Sequence, residues 1–478
     1  MVHLPKNSSP RVHFIGIGGI GMSGLARYFK HLKWAVSGSD AVRGPMTDEL
    51  KKEGIAVKIG HKTGNLPRQG ALVVYNRAIR PDNLELRAAQ ARKDLVAIPY
   101  AAALGRITEQ YETIAITGSH GKSTTTALAG LVLAKAKLDP TILVGTKLAD
   151  LGGKNIRVGR GPFLVLEADD YGAAFLDYSP AVAIVTNIDR EHMDFYKTEA
   201  NVKRTFLKFL ARTRPGGTLI LNRDDRPLFS LRPRIAALAR RNHLRVIWFS
   251  VRGSGPRGEG AALAAKVRRI IPIPGPHNVS NAMAVIKLAE GLGIPEKTAL
   301  AAIGSYRGAW RRMEYKGSLN MQLPGRSVQV FDDYAHHPSE IRATLAAFRE
   351  RFPHSPLLCV FQPHQAKRLE LLFDEFMAAF DGADIVFILP LYQVLGRDEK
   401  LPRDSAALVR AIEERAAGNG APGKPIFYLR DPGKIRAAVI AALRAASTER
   451  ISGRTGTPVV IMMGAGDIVD LTKRLLKK

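Results

Sequence analysis

The chain of 478 residues carries a single cysteine. Cys359 has no intrachain partner for a disulfide and cannot build a cysteine zinc site; within Pro-Leu-Leu-Cys-Val-Phe it reads as a buried strand residue. Such sparse cysteine usage fits a reducing cytoplasm, the expected location. No uninterrupted apolar run reaches the ~18–20 residues a membrane helix needs, so no membrane partner is expected. Phe14 to Ala26 could pass for a signal-peptide core, but Gly16, Gly18, Gly19, Gly21 and Gly24 weaken it as a helix. A strand entering a glycine-rich turn explains it better. Neither a fixed-period repeat nor a low-complexity tract is present. With 46% apolar and 24% charged residues, the composition is that of an ordinary globular protein. The length suggests about three domains.

Acidic residues are also scarce: Asp and Glu number 43 against 71 Lys and Arg, a formal net charge of +28. That excess favours anionic partners, whether nucleic acid, an acidic membrane surface or phosphorylated small molecules. The basic residues are scattered and form no block of five or six. With no RNA-binding aromatic motif and no helicase-like motif order, a nucleic-acid-dependent ATPase has little support. Arginines on solvated helix faces account for much of the excess.

Strand and helix alternate along the whole chain, which implies parallel sheets joined by right-handed crossovers. In the first hundred residues, strands are expected at Val12 to Ile15, Trp34 to Ser37 and Ala71 to Tyr75. Helices are expected at Met22 to Lys30, Thr47 to Glu53 and Pro81 to Arg92. A second series opens with the strand Thr113 to Thr117 and continues with Phe163 to Leu166, Val182 to Val185, Thr218 to Leu221 and Val246 to Phe249. Residues 250–260 read as a loop, and a helix from Val279 to Leu292 closes this series. In the third, strands at Val328 to Phe331, Leu357 to Phe361, Ile385 to Leu389, Ile426 to Leu429 and Val459 to Met462 alternate with helices. Those helices are Ser339 to Arg351, Arg368 to Phe380, Ser405 to Ala416 and Gly433 to Ala445. The architecture is three α/β domains in tandem, at 1–108, 109–309 and 310–478.

Two glycine loops carry the chemistry. Gly16-Ile-Gly18-Gly19-Ile-Gly21 satisfies G-x-G-x-x-G directly after a strand and before a helix, and Asp40 ends the next strand at a distance suited to hydroxyl recognition. Glycines there let backbone amides approach a diphosphate at a helix N-terminus. The pattern does not distinguish NAD from another diphosphate. The second loop, Thr117-Gly118-Ser119-His120-Gly121-Lys122-Ser123-Thr124, lacks the full P-loop spacing because position 116 is Ile116. The shorter G-x-x-G-K-S still supplies backbone amides for phosphates, a lysine for the β/γ oxygens, and Ser123 or Thr124 for Mg²⁺. ATP is the expected ligand. Mg²⁺ prefers hard oxygen donors, and Glu167, Asp169 and Asp170 follow a strand on the same expected edge, as does His192 after the next.

Further polar groups stand at strand ends and turns. Asn278 reads as a helix N-cap with Asn281 in the first turn, or as amides facing a purine edge. Arg311-Arg312, Asp332-Asp333-Tyr-Ala-His336-His337, Phe361-Gln-Pro-His364 and Gly464-Ala-Gly466-Asp467 flank strands of the third series. Together they suggest a cleft facing the ATP domain.

In this order, and with Met22-Ser23 after the first glycine motif, Glu167-Ala-Asp, and Asn187-Ile-x-x-x-His192-Met-Asp, the sequence resembles the Mur ligases of peptidoglycan synthesis from about residue 11 to 475. Within that family it is most similar to the alanine-adding branch. The resemblance implies a Rossmann-like N-terminal domain for a UDP-sugar, a central P-loop domain for ATP and a Rossmann-like C-terminal domain for the amino acid. It implies an ATP-dependent carboxylate–amine ligase: ATP phosphorylates the lactyl carboxylate of UDP-N-acetylmuramate, and the amine of L-alanine attacks the acyl phosphate. Carried onto this chain, Gly118 to Thr124 would bind ATP, with Lys122 on the transferring phosphate. Ser123, Thr124 and Glu167 would hold one Mg²⁺, and His192 would help hold a second metal. Asn278 and Asn281 would contact adenine, and Arg312 and Asp333 would close on ATP. Gly16, Gly18, Gly19, Gly21, Met22, Ser23 and Asp40 would serve the UDP-sugar; His336, His337, His364 and Arg368 would lie near the amino acid.

Two departures matter. The family's Arg after Phe-Gln-Pro-His is Gln365 here, which leaves Lys367 or Arg368 to anchor the amino-acid carboxylate, and its Ser-Ser-Ala-Ile is Tyr75-Asn76-Arg77-Ala78-Ile79. The related recycling ligase, which attaches a whole peptide, is the nearest alternative. An NAD-dependent dehydrogenase would leave Lys122, Glu167 and the third domain without work.

Overall fold

A computed structural model describes residues 10–252, 259–320, 327–392, 403–418, 424–448 and 454–477. The first sheet contains β1 (Arg11–Ile15), β2 (Ala35–Asp40), β3 (Ala56–Ile59), β4 (Ala71–Tyr75) and β5 (Leu95–Pro99). All are parallel, in the order β3-β2-β1-β4-β5. The order reverses between β1 and β4, and such switch points are where open α/β sheets bind ligands at the carboxyl ends of their strands.

The second sheet contains β6 (Glu112–Thr117), β7 (Thr141–Leu148), β8 (Lys154–Arg157), β9 (Phe163–Glu167), β10 (Val182–Val185), β11 (Thr218–Asn222) and β12 (Arg245–Phe249). Its order is β12-β11-β10-β6-β9-β7-β8, parallel except for the β7–β8 hairpin. The third contains β13 (Glu314–Asn320), β14 (Ser327–Asp333), β15 (Leu357–Phe361), β16 (Ile385–Ile388), β17 (Ile426–Tyr428) and β18 (Val459–Met463), in the order β13-β14-β18-β15-β16-β17. Only β13 runs antiparallel to its neighbour. Helices cover both faces of its central strands, so β15 and β18 are buried at every position and read as unbroken apolar runs. Cys359 sits in β15, fully buried, its thiol pushed up to about 12 by desolvation.

The chain forms two compact units. One holds the first two sheets; the other holds the third sheet together with the short segments Glu191–Lys197 and Ile271–Val279. Those two segments lie inside the stretch that the sequence assigns to the central domain.

Most expected elements are present, with informative shifts. β3, β5, β7, β8 and β13 are additional: β3 exposes three of its four residues at a sheet edge, and β7 and β8 are short on apolar alternation. The helix expected from Pro81 begins at Leu84, because the Asn83 side chain accepts from the Glu85 and Leu86 amides and sets the start. The helix expected from Arg368 to Phe380 is two helices, Ala366–Leu371 and Phe373–Met377, broken at Leu372. The one expected from Val279 starts at Pro276, so Asn278 lies in the first turn rather than at the N-cap. Residues 253–258 of the expected 250–260 loop fall outside the described residues.

Candidate active site

The second glycine loop connects β6 to the helix Lys122–Lys135. Gly118 has φ +140°, and a Cβ on it would lie 2.0 Å from Thr186 Oγ1; Gly121 has φ +82° and its face is covered by Asn281, 2.4 Å from such a Cβ. Only glycine fits either position. The residues after β10 stitch the loop into shape. The His120 amide donates to Asn187 Oδ1 at 2.8 Å, and Thr186 Oγ1 and Asn187 Nδ2 donate back to the His120 carbonyl at 2.6 and 3.0 Å. The Asp189 amide donates to Ser119 Oγ at 2.7 Å, and the Asp189 carboxylate accepts from His120 Nε2 at 2.9 Å.

Lys122 Nζ donates to the Gly118 carbonyl at 2.7 Å, the Ser119 carbonyl at 3.1 Å and Asp170 Oδ1 at 2.9 Å. Burial alone would lower its pKa, but Asp170, Asp169 and Glu167 outweigh burial and raise it, so the ammonium stays charged. Ser123 Oγ donates to Glu167 Oε1 at 3.0 Å, and the Gly145 amide donates to Glu167 Oε2 at 2.6 Å. Desolvation nevertheless pushes the Glu167 carboxyl up, only partly offset by that amide, Lys122 and Ser123. Thr124, one position further along the helix, is buried. The loop therefore combines a fixed cation with a part-buried carboxylate next to a hydroxyl, a set suited to polyphosphate and a hard cation.

At the first glycine turn, the Gly16 and Ile17 amides donate to the Ser39 carbonyl at 2.8 and 2.9 Å. Asp40, expected to meet a hydroxyl, accepts the Gly18 amide at 2.7 Å and so shapes the loop from within. Gly19 is the N-cap of the helix Ile20–His31, in which Met22 and Ser23 are buried; Ser23 Oγ donates to the Ile20 carbonyl at 2.9 Å. A Cβ on Gly16 would meet Asn76 Nδ2 at 2.9 Å, which places one departure residue directly over the turn. Its neighbour Arg77 donates to the Gly172 carbonyl, beyond β9.

In the other unit, Glu191 gathers the residues expected near an amino acid. Arg368 Nη2 lies 3.2 Å from Glu191 Oε2 and His192 Nδ1 3.7 Å away; burial alone would raise the Glu191 carboxyl, but the charges beside it, Arg368 above all, outweigh burial and hold it far below its usual range. Arg368 Nη1 and Glu191 Oε1 are buried with no hydrogen-bond partner among the described residues. His336 Nδ1 donates to the Tyr334 carbonyl at 2.9 Å, and burial drives the ring's pKa down to about 3, so its Nε2 carries a lone pair at neutral pH. His364 stacks on Tyr392 with ring centroids 5.5 Å apart and lies 6.2 Å from His336. His337 caps the helix Pro338–Arg351, accepting from the Ser339 amide. Lys367 is exposed, so of the two substitutes for the missing arginine only Arg368 joins the cluster.

Arg311 is buried, donating to the Gly464 carbonyl, whereas Arg312 is part-exposed and pairs with Glu340 at 3.7 Å. Both Asp333 oxygens are engaged, by the Met313 and Ala335 amides at 2.8 and 2.9 Å and by Thr344 Oγ1 at 3.1 Å, which fixes the turn that presents Arg312. Asn278 Nδ2 donates to the Pro274 carbonyl at 2.7 Å. Glu191, Thr186 and Asp189 have roles that the sequence does not assign, whereas Asp170, expected among the Mg²⁺ carboxylates, pairs with Lys122, and Asn187, a residue of the expected motif, holds the His120 backbone. Thr186 adjoins Asn187 and Glu191 adjoins His192, and that adjacency is the available signal.

Comparison with known proteins bears on the family and the fold. Residues 11–112 match the Mur ligase family catalytic domain, 116–289 the Mur ligase middle domain, and 311–466 the Mur ligase glutamate ligase domain. The UDP-N-acetylmuramate–L-alanine ligase of Azoarcus sp. (strain BH72) is 36% identical over 475 residues, covering 97% of each chain. The crystal structure of the UDP-N-acetylmuramate-alanine ligase from Thermotoga maritima superposes with a TM-score of 0.72 at 25% identity, covering 97% of this chain and 98% of that one. A murein peptide ligase from Psychrobacter arcticus shares the fold, with a TM-score of 0.64 at 21% identity and 98% of each chain covered. With three family domains matched in order and a relative more than a third identical along nearly its whole length, this chain belongs to the Mur ligase family.

Proposed function

We propose that the chain is an ATP-dependent ligase that joins L-alanine to the lactyl carboxylate of UDP-N-acetylmuramate through an acyl phosphate, a cytoplasmic step in peptidoglycan precursor synthesis. The observation that carries this reading is the Lys122 loop, with its ammonium held by Asp170 beside the Ser123–Glu167 pair. Identity to alanine-adding relatives along almost the whole chain supports the substrate pair.

The 118–124 loop would receive the ATP phosphates on its amides, and Lys122 would follow the γ-phosphoryl group as its charge shifts toward transfer. Ser123 and Glu167 fit Mg²⁺, since both are hard oxygen donors and lie 3.0 Å apart, with desolvation pushing the Glu167 carboxyl up so that a cation there would favour its charged form. When bound, the ion would neutralise phosphate charge so that two anions can meet. Thr124 and His192 remain assigned to metal binding, and Asn278, Asn281, Arg312 and Asp333 to the nucleotide. The glycine turn at 16–21, with Met22, Ser23 and Asp40, is assigned to the UDP-sugar. Arg368 Nη1, a buried donor with no partner among the described residues, would take the carboxylate of the amino acid, beside His336, His337 and His364. The assignment follows domains at 1–108, 109–309 and 310–478.

Phosphate release from ATP, followed with UDP-N-acetylmuramate and either single amino acids or a tripeptide, tests the reading. Release with L-alanine supports it. Release only with the tripeptide points to the recycling ligase, and release with neither rejects both. L-alanine should exceed glycine and L-serine only modestly, because one methyl group is worth ~1–3 kcal/mol in a pocket.

A further inference from the structure

The helix that follows the first glycine turn does not rest on its own sheet alone. Its residues Gly24 and Ile20 meet the β7–β8 hairpin of the second sheet: Asn155 Nδ2 donates to the Ile20 carbonyl at 2.5 Å, and a Cβ on Gly24 would lie 2.7 Å from Asn155 Nδ2 and 2.6 Å from Leu143 Cδ1. Asn155 is fully buried, and its Oδ1 accepts from Arg27 Nη1 at 2.9 Å. Arg27, on the same helix and 8% exposed, is fixed on its other side by Glu53, with Nε and Nη2 at 2.8 and 3.0 Å from the two carboxylate oxygens. One amide side chain thus joins the glycine-turn helix to the hairpin by two hydrogen bonds.

The same hairpin reaches the phosphate site. β7 pairs with β9 only as far as Leu143↔Leu166, and the β7–β8 register shifts between Leu143 and Leu148. Released from the ladder, Gly145 turns its amide onto Glu167 Oε2 at 2.6 Å, and a Cβ on Gly145 would lie 2.6 Å from Glu167 Oε1. Glu167 is the carboxylate that faces Ser123 of the phosphate loop. The path from the glycine turn to the proposed metal ligand is therefore Ile20, Asn155, the hairpin, Gly145, Glu167.

We propose that Asn155 is a positioning residue that locks the β7–β8 hairpin to the glycine-turn helix, so that occupation of the sugar-nucleotide turn and of the phosphate loop are energetically coupled. This rests on the reading of those two loops given above. Asn155 is buried at one end of this path and Glu167 is part-buried at the other, with the irregular hairpin between them, and contiguous packed and hydrogen-bonded elements of this kind carry coupling between distinct sites.

The test uses the full-length protein and calorimetric binding of UDP-N-acetylmuramate, with and without Mg²⁺ and a non-hydrolysable ATP analogue. In the wild type the analogue should change the sugar-nucleotide affinity by at least about 5-fold, the lower end of ordinary coupling between sites. Asn155→Ala should reduce that factor to below about 2-fold, while affinity for the analogue alone changes less than the coupling does. Asn155→Asp keeps an acceptor for Arg27 but has no donor for the Ile20 carbonyl, and should show the same loss should the alanine variant fold poorly. A wild-type coupling factor retained in the folded variants, or no coupling in the wild type, overturns the proposal. A wild type that binds the analogue but not UDP-N-acetylmuramate instead overturns the substrate reading on which it rests.

Discussion

Asp170 holds Lys122 in place across the mouth of its own loop, with Oδ1 2.9 Å from Nζ while the same ammonium spans the Gly118 and Ser119 carbonyls. The lysine is thus pre-positioned and charged before any phosphate arrives. In the proposed reading, a nucleotide would exchange those carbonyls for phosphate oxygens while Asp170 keeps the side chain in register.

From this it follows that Lys122→Ala should lower turnover by at least ~10²–10³-fold, the usual cost of removing one preorganised group from a transferring charge. Circular dichroism and the thermal midpoint should show a folded protein. A variant with near-normal kcat would place ATP elsewhere.

Gly118 carries a sharper demand on backbone and space. Its φ of +140° and the 2.0 Å separation of a virtual Cβ from Thr186 Oγ1 leave no room for a methyl group. Gly118→Ala should cost about 2–4 kcal/mol in denaturant unfolding, through strain at a special backbone conformation combined with overpacking. The KM for ATP should rise as the loop is displaced. A loss under about 0.5 kcal/mol, the range of a neutral surface change, would contradict the geometry.

His336 gives a pH dependence. Burial, reinforced by Arg368, holds its pKa down to about 3, although Glu340, Glu191 and the Tyr334 carbonyl pull the other way. Unfolded, the ring titrates near its ordinary value of about 6.5. The folded state therefore binds fewer protons than the unfolded state between those values. The contribution is complete above about pH 6.5 and is lost as pH falls toward 3. The thermal midpoint should drop more between about pH 7.5 and about pH 5 in the wild type than in His336→Gln, a window above the range in which unfolded carboxylates titrate. Equal drops would show that His336 is protonated in the fold.

How much of this was legible in the sequence depends on what each residue is for. Strands such as Leu357–Phe361 and Val459–Met463 are buried on both faces, so composition alone reveals them. The two glycine loops were legible because they need specific residue types at fixed spacing directly after a strand. Edge strands escaped notice: Ala56–Ile59 alternates with solvent, and the 141–157 hairpin is interrupted by Gly145, whose amide serves Glu167 instead of the ladder. Asp40 was correctly placed beside the first glycine turn, but its partner is the Gly18 amide, a local contact that spacing cannot distinguish from recognition of a hydroxyl. Glu191 escaped for a different reason. A carboxylate in a loop ordinarily reads as solvated, and only tertiary packing brings Arg368 to it across 177 residues of sequence.

In the proposed reaction a carboxylate is activated by phosphoryl transfer, and isotope transfer measures that step. UDP-N-acetylmuramate labelled with oxygen-18 in the lactyl carboxylate, incubated with ATP, Mg²⁺, L-alanine and the enzyme, should yield inorganic phosphate carrying one labelled oxygen per amide formed. The carboxylate oxygen that attacks phosphorus leaves with it when the amine displaces phosphate. Amide formation with unlabelled phosphate would contradict the account.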